Sequence, residues 1–185
     1  GAPTCNNPLV GQRKSYSAGL PVACTEFRIT NLEDGISEMP TGERGEICVR
    51  GPHIAESYYN NEEATKASFK EGWLHTGDVA YLDEDGFVFV VDRVKDMAIV
   101  SGFNVFPREI DEVLVAHPKV LEAAAIGVPD DYRGEVIKVF VALRDGETLS
   151  EKELLDYCSE NLVKYKMPSI VEFTKNLPKT PVGKI

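Results

Sequence analysis

A charged pentapeptide, Asp92-Arg93-Val94-Lys95-Asp96, separates two parts of this chain that follow different hydrophobic patterns. Before it, apolar and polar residues alternate in short runs, which is typical of β-strands. After it, segments with helical spacing alternate with strand-like segments. A charged run between two such patterns favours a domain boundary. The 185 residues are enough for two small domains, and we predict them at residues 1–93 and 94–185.

The first part is predicted to be mostly β. Residues 23–30 and 46–50 alternate between apolar and polar side chains, which indicates two half-buried strands joined by a long turn. Residues 79–82 and 87–91 are rich in β-forming side chains and flank an Asp-Gly turn, so we expect a hairpin there. Residues 62–69 begin with acidic side chains, which indicates one short helix.

The second part is predicted to be a compact α+β unit. A helix is expected over residues 107–116, because proline suits the first helical turn and the apolar side chains that follow share one face. A capping box predicts a second helix over residues 150–162. Residues 120–128, 135–143 and 170–173 have the apolar character of strands, so the fold class is α+β.

The composition excludes several classes of protein. The 30 acidic and 20 basic side chains give a net charge of -10, which would repel a phosphate backbone, so no nucleic-acid partner is expected. No apolar run approaches the ~20 residues of a spanning helix, so any membrane association is expected to be peripheral. The cysteines show neither metal-ligand spacing nor a secreted disulfide pattern, which favours reduced thiols in a cytoplasmic protein; they are Cys5, Cys24, Cys48 and Cys158.

Four polar residues are candidates for chemistry, and each also has an ordinary structural explanation. Asp78 follows a glycine before the hairpin, where its carboxylate could accept two ribose hydroxyls or simply bond nearby amides. Arg93 and Lys95 could contact a nucleotide and act as a pivot, or be a solvated linker. Lys184 lies in a glycine turn, where its ammonium could reach a developing negative charge or remain in solvent. These residues alone leave both explanations open.

Five segments stand out when the chain is taken in order. They are residues 41–52 (TGERGEICVRGP), 73–78 (WLHTGD), 92–96 (DRVKD) with 100–110 (VSGFNVFPREI), 165–168 (YKMP) and 177–185 (LPKTPVGKI). Together they resemble motifs of the adenylate-forming superfamily, which includes acyl-CoA synthetases, luciferases and peptide-synthetase adenylation domains. The resemblance covers nearly the whole chain. The resemblance implies a β-rich distal portion of the large adenylation domain, followed by a small α+β C-terminal lid domain.

The resemblance also implies a reaction and a set of roles. A carboxylate attacks ATP to give an acyl-adenylate and pyrophosphate, and the thiol of coenzyme A then displaces AMP, with Mg²⁺ accompanying ATP. Asp78 would hold the ribose hydroxyls, Arg93 would contact the nucleotide, and Lys184 would be the catalytic lysine of adenylation. Lys95 matches the hinge about which the small domain turns between the half-reactions.

Two residues beyond the hinge are matched to the passage for coenzyme A. Ser101 and Gly102 would line it, and a residue without a side chain suits a backbone that pantetheine must pass closely. Glu109 matches an acidic position of the family, but its place at a helix start favours a structural role.

Several family motifs have no counterpart here. Nothing in the chain resembles the phosphate loop, or the motif that contacts adenine and magnesium, so no metal ligand is assigned. We therefore expect residues 1–9, which show no periodicity, to continue from a missing N-terminal part, without which the fragment would be inactive. The face that normally packs on that part would be apolar and favour self-association as a homo-oligomer.

Within the superfamily, residues 102–110, 120–125 and 171–173 look most like long-chain fatty-acid–CoA ligases. The resemblance then implies a fatty acid, ATP and coenzyme A as substrates. The alternatives that remain are medium-chain ligases, aromatic-acid–CoA ligases, domains that load a carrier protein, and a non-catalytic scaffold module.

Overall fold

The structure, a computed structural model, describes residues 4–181. These residues belong to two compact units, one ending at Lys95 and the other beginning at Asp96. The chain therefore divides inside the charged pentapeptide, two residues beyond the division predicted after Arg93. Both units contain sheet and helix, which confirms the α+β class.

The first unit is built mainly from strands. Its elements are β1 (Cys5–Asn6), β2 (Leu20–Pro21), β3 (Glu26–Thr30), β4 (Gly45–Arg50), α1 (Glu62–Ser68), β5 (Phe69–Lys70), β6 (Trp73–Leu82) and β7 (Val88–Arg93). Strands β1 and β2 pair with each other, and the other five form one antiparallel sheet in which β3, β4 and β6 are neighbours in that order. Because β6 is 10 residues long, its start pairs with β5 and its end with β7.

The two faces of this sheet differ in polarity. Phe27 and Ile29 alternate with polar residues along β3 and lie on the apolar face. The buried residues of that face are Ile29, Ile47, Val49, Ala80 and Val88. The opposite face carries polar side chains from the same strands, and it holds the candidate site.

The second unit surrounds a long central strand. Its elements are β8 (Ala98–Val100), β9 (Phe103–Val105), α2 (Pro107–Ala116), β10 (Val120–Asp130), β11 (Gly134–Leu143), α3 (Glu151–Asn161) and β12 (Pro168–Thr174). Strand β11 pairs antiparallel with β10 on one side, and with β12 in parallel and β8 antiparallel on the other. Strand β9 completes the sheet as the partner of β8.

Both long helices of this unit bury one apolar stripe. Ile110 and Leu114 lie one turn apart on α2, and Leu154 and Cys158 do so on α3; all four are 0% exposed. The predicted capping box at the start of α3 is present, with the Ser150 hydroxyl accepting from the backbone of the third helical residue. The longest described helix has 11 residues, and among residues 4–181 none is long and apolar enough to cross a membrane.

Some local expectations were wrong. The sequence predicts no element over residues 1–9, yet Cys5–Asn6 is a short strand paired with Leu20–Pro21. The strand predicted from residue 23 begins only at Glu26, because Cys24 adopts a positive φ of 62°. The β8–β9 hairpin was not predicted at all, since strands of three residues are too short to show a period.

Candidate functional site

Residues 76–78, which match the ribose-binding motif, form a bulge in β6. Glu46 of β4 pairs with Val79, whereas Cys48 pairs with His75. Three residues of β6 therefore lie opposite the single residue between Glu46 and Cys48. Such a bulge interrupts the regular ladder and changes the direction of the side chains on it, which is how sheets aim residues at binding sites.

Side chains take the place of the missing ladder bonds around this bulge. The Gly77 N–H donates to Glu46 Oε1 over 2.9 Å, and the Thr76 hydroxyl donates to the Ile47 carbonyl over 2.8 Å. The Asp78 N–H donates to the Thr76 hydroxyl over 3.1 Å. Gly77 has a φ of 73°, in the left-handed region that favours glycine. The backbone that carries Asp78 is therefore anchored on both sides.

A second bulge determines the neighbour of Asp78. The pairing of β6 with β7 shifts at Val91, which is left without a partner in the ladder. Beyond this shift Asp78 pairs with Arg93, and Arg93 Nε lies 2.8 Å from Asp78 Oδ1. The side chains of Arg93 and Asp78 are 53% and 36% exposed. Two residues that the sequence assigned to nucleotide contact are thus brought together at the surface.

A buried polar network lies beside the first bulge. His75 Nδ1 is 2.8 Å from Glu46 Oε2 and 3.4 Å from Cys48 Sγ. Cys48 Sγ is in turn 3.4 Å from the Thr30 hydroxyl. Burial raises the pKa of the Cys48 thiol, the hydrogen bond from Thr30 opposes this rise, and the nearby Glu46 carboxylate adds to it. Cys48 is therefore held as a neutral thiol.

Glu46, Cys48 and His75 could be considered as metal ligands, since one atom from each lies within 4.8 Å of the others. The 2.8 Å between Glu46 Oε2 and His75 Nδ1 is a hydrogen-bond distance, whereas two such ligands on a tetrahedral zinc would lie about 3.3 Å apart. Magnesium prefers an octahedron of oxygen atoms, which a thiol and an imidazole do not supply. The trio fits a hydrogen-bond network better than a metal site.

The residues matched to the hinge and the coenzyme A passage lie in separate elements. Lys95 is exposed in a 3₁₀ turn at the end of the first unit. Ser101 and Gly102 form the tip of the β8–β9 hairpin in the second unit, with φ of 52° and 83°. Among the described residues, a Cβ at Gly102 would meet no atom within 4 Å, so the tip is open towards the described part of its own unit. Lys184 lies outside the described residues.

Two contacts that the sequence did not predict hold the segment around Tyr165, one to this hairpin and one to α2. The Phe103 ring stacks on Tyr165 with 4.7 Å between centroids, and Lys166 Nζ lies 2.6 Å from Glu109 Oε2. Glu109, interpreted from the sequence as structural, is thus tied to the segment that contains Tyr165. No local pattern could reveal the second contact, because its partners are 57 positions apart.

Comparison with known families supplies the class of this protein. The family described as "AMP-binding enzyme" matches residues 1–59, and the "AMP-binding enzyme C-terminal domain" matches residues 109–184. The chain belongs to the AMP-binding enzyme family, and the resemblance found from its motifs is confirmed.

Several of the similar proteins are named CoA ligases or CoA synthetases. The chain is 48% identical over 179 residues to the long-chain-fatty-acid–CoA ligase of Escherichia coli O6:H1, covering 97% of this chain but 31% of the relative. It matches ATP-bound MatB from Rhodopseudomonas palustris with a TM-score of 0.90 and 37% identity, over 97% of this chain and 36% of that protein. It also matches the o-succinylbenzoate CoA synthetase of Bacillus subtilis in complex with its acyl-adenylate intermediate, with a TM-score of 0.84 and 41% identity, over 93% and 34% of the two chains.

Proposed function

We propose that this chain forms part of an ATP-dependent fatty-acid–CoA ligase, to which it contributes a ribose-binding carboxylate and the C-terminal domain. The observation that carries this proposal is the Asp78–Arg93 pair in a chain of the AMP-binding enzyme family. The two side chains lie 2.8 Å apart, next to the bulge between β4 and β6 and the bulge between β6 and β7. The chain spans about a third of the length of its relatives, so the activity proposed is that of the complete enzyme.

The first step would be adenylation. A carboxylate oxygen attacks the α-phosphorus of ATP, and the bond from that phosphorus to pyrophosphate breaks. Asp78 can accept hydrogen bonds from both hydroxyls of a ribose, because its two oxygens offer enough acceptor sites. Arg93, already beside Asp78, offers donors in a fixed plane to the nucleotide. In our proposal Lys184 stabilises the negative charge that develops on the reacting groups.

The second step would be thioester formation. The thiol of coenzyme A gives its proton to solvent and attacks the acyl carbon, and the bond from that carbon to AMP breaks. In our proposal, the small C-terminal domain rotates between the two steps about the segment around Lys95. Pantetheine passes along the tip formed by Ser101 and Gly102. Magnesium would accompany ATP, but the described residues offer no oxygen site that fits it, and none of these steps assigns a role to it.

The acid is proposed to be a long-chain fatty acid. This follows from the 48% identity to a long-chain-fatty-acid–CoA ligase. The 41% identity to an o-succinylbenzoate CoA synthetase makes an aromatic acid the main competitor. A long-chain fatty acid and an aromatic acid differ in the acyl group that the enzyme must bury, so activity with a panel of acids separates the two candidate substrates.

The test is release of AMP from ATP by the complete enzyme that contains these residues, with coenzyme A and a panel of fatty and aromatic acids. Lys184→Ala should abolish the release, whereas Lys175→Ala, which removes an exposed lysine nine positions earlier, should not. AMP release with fatty acids only would support the full proposal. Release with aromatic acids only would replace the substrate, and a folded enzyme that releases no AMP with any acid would overturn the ligase function.

A further inference from the structure

Glu46 lies outside the ribose motif, yet its carboxylate makes the central contact of the bulge. It belongs to β4, and its two oxygens bind different partners on β6. Oε1 accepts from the Gly77 N–H over 2.9 Å, and Oε2 lies 2.8 Å from His75 Nδ1. The residues that it joins, Gly77 and His75, flank Thr76 immediately before Asp78.

We propose that Glu46 is a positioning residue for nucleotide binding, because it holds the bulge in the one conformation that presents Asp78 to the ribose. The inference rests on the proposed function for the role of Asp78. It adds a residue from a neighbouring strand that touches neither substrate nor reacting atoms.

The backbone at the bulge needs such an anchor. Gly77 adopts a φ of 73°, and its N–H has no place in the ladder between β4 and β6. A buried or half-buried N–H that loses its acceptor is costly, and the chain would relax to recover a partner. The Glu46 side chain is 17% exposed, so its hydrogen bonds are partly shielded from water and are correspondingly strong.

The imidazole of His75 fixes the other end of the carboxylate. Its side chain is 5% exposed, and among residues 4–181 its Nε2 is buried without a hydrogen-bond partner. We therefore assign the ring hydrogen to Nδ1, which donates to Glu46 Oε2. With one oxygen held by His75, the other is directed at the Gly77 N–H, so the two contacts together fix the carboxylate between His75 and Gly77.

The local anchors are independent enough for a variant to remain folded. The Thr76 hydroxyl binds the Ile47 carbonyl over 2.8 Å without involving Glu46. The apolar core of the first unit lies on the opposite face of the sheet. Removing the carboxylate should therefore loosen the bulge without removing the sheet around it.

The experiment compares Glu46→Ala and Glu46→Gln with the control Glu26→Ala in the complete enzyme. Glu26 lies on the same polar face and pairs with Arg50 over 2.5 Å, but it is 60% exposed and away from the bulge. Glu46→Ala should raise KM for ATP by about tenfold or more and leave KM for acid and coenzyme A unchanged. Glu46→Gln should recover most of the loss, because its amide oxygen still accepts from Gly77 and its amide N–H can donate to Nδ1 of the other His75 tautomer. Glu26→Ala should have little effect.

A second readout does not depend on turnover. Amide hydrogen exchange over residues 76–78 should be at least about tenfold faster in Glu46→Ala than in the wild type or in Glu26→Ala. Equal exchange in all three, or a KM for ATP no higher in Glu46→Ala than in Glu26→Ala, would overturn the inference. A parallel loss of kcat and of affinity for all substrates, with a lowered Tm, would also overturn it, since that describes a merely structural residue.

The two proposals can fail separately. If the wild-type enzyme turns over and Glu46→Ala behaves as Glu26→Ala does, only the positioning role has failed. If the folded wild type shows no turnover with any acid, the ligase function has failed, and hydrogen exchange alone then decides whether Glu46 holds the bulge.

Discussion

Asp78 and Arg93 face each other across β6 and β7, with Oδ1 of the first 2.8 Å from Nε of the second. Both side chains are more than a third exposed, with 36% for Asp78 and 53% for Arg93. An exposed pair of this kind contributes about 0–1 kcal/mol to stability. The pair therefore adds little to the stability of the fold.

The first prediction concerns this pair. Asp78→Asn should raise KM for ATP by about tenfold to a hundredfold, because hydrogen bonds from ribose hydroxyls to a carboxylate become bonds to a neutral amide. The free energy of unfolding should change by less than about 1 kcal/mol. Steady-state kinetics and urea unfolding of the complete enzyme measure the two effects. Asp85→Asn is the matched control, since Asp85 also forms an exposed ion pair, at 2.6 Å from Lys14. Equal changes of KM for ATP in Asp78→Asn and Asp85→Asn would contradict the proposed role of Asp78 in ribose binding.

The second prediction concerns thiol reactivity. Burial raises the pKa of Cys158 to about 11, and it also raises the pKa of Cys48. Iodoacetamide at pH 8 should therefore leave both unmodified in the folded protein and alkylate them after unfolding in urea. Cys24 is exposed and should react first among the cysteines. Peptide mass spectrometry gives the order, with Cys24→Ser as control. Fast labelling of Cys158 in folded protein would show that its core is not packed as described.

The third prediction concerns pH and the turn between β6 and β7. The hydrogen bond from Lys14 lowers the pKa of Asp83 from its ordinary value of 3.8, and the bond to Asp83 raises the pKa of Lys14 above 10.5. The contribution of Asp83 to the stability of the folded protein is thus complete above pH 3.8 and is lost as the pH falls through its lowered pKa. The contribution of Lys14 is complete below pH 10.5 and is lost as the pH rises through its raised pKa.

Lys14→Met should therefore destabilise the protein most at neutral pH, and less at both extremes. Urea unfolding from pH 2 to pH 7 tests the acid side, and Lys66→Met, which removes an exposed pair with Glu62, is the control. If the free energy of unfolding differs between the wild type and Lys14→Met by the same amount at every pH in this range, the ion pair between Lys14 and Asp83 does not stabilise the protein.

The fourth prediction concerns the core of the second unit. Leu154 is 0% exposed on α3, so Leu154→Ala should lower the free energy of unfolding by about 2–5 kcal/mol through lost burial and the cavity left behind. Leu121 is 49% exposed on β10, and Leu121→Ala should cost less than about 1 kcal/mol. Urea denaturation followed by circular dichroism measures both. Similar losses would mean that α3 does not pack on the sheet.

Several elements could be predicted because their signals are local. The capping box at Ser150 predicted the start of α3, and the Asp-Gly turn predicted the hairpin that joins β6 to β7. The β8–β9 hairpin was missed because each of its strands has only three residues, too few to show a period. The short strand Cys5–Asn6 was missed because it is defined only by its partner.

The candidate site likewise combines features with local sequence signals and features that depend on distant strands. The sequence by itself was enough to nominate Asp78 and Arg93 as candidates for nucleotide contact, because ordered motifs resemble those of a family, and it indicated which faces of the strands are apolar. Only the tertiary structure decided that Asp78 and Arg93 are neighbours, and that Glu46 anchors the segment between His75 and Asp78. The physical reason is register. The side-chain period of a strand is local, but the positions of two bulges depend on hydrogen bonds between strands that are distant in the chain.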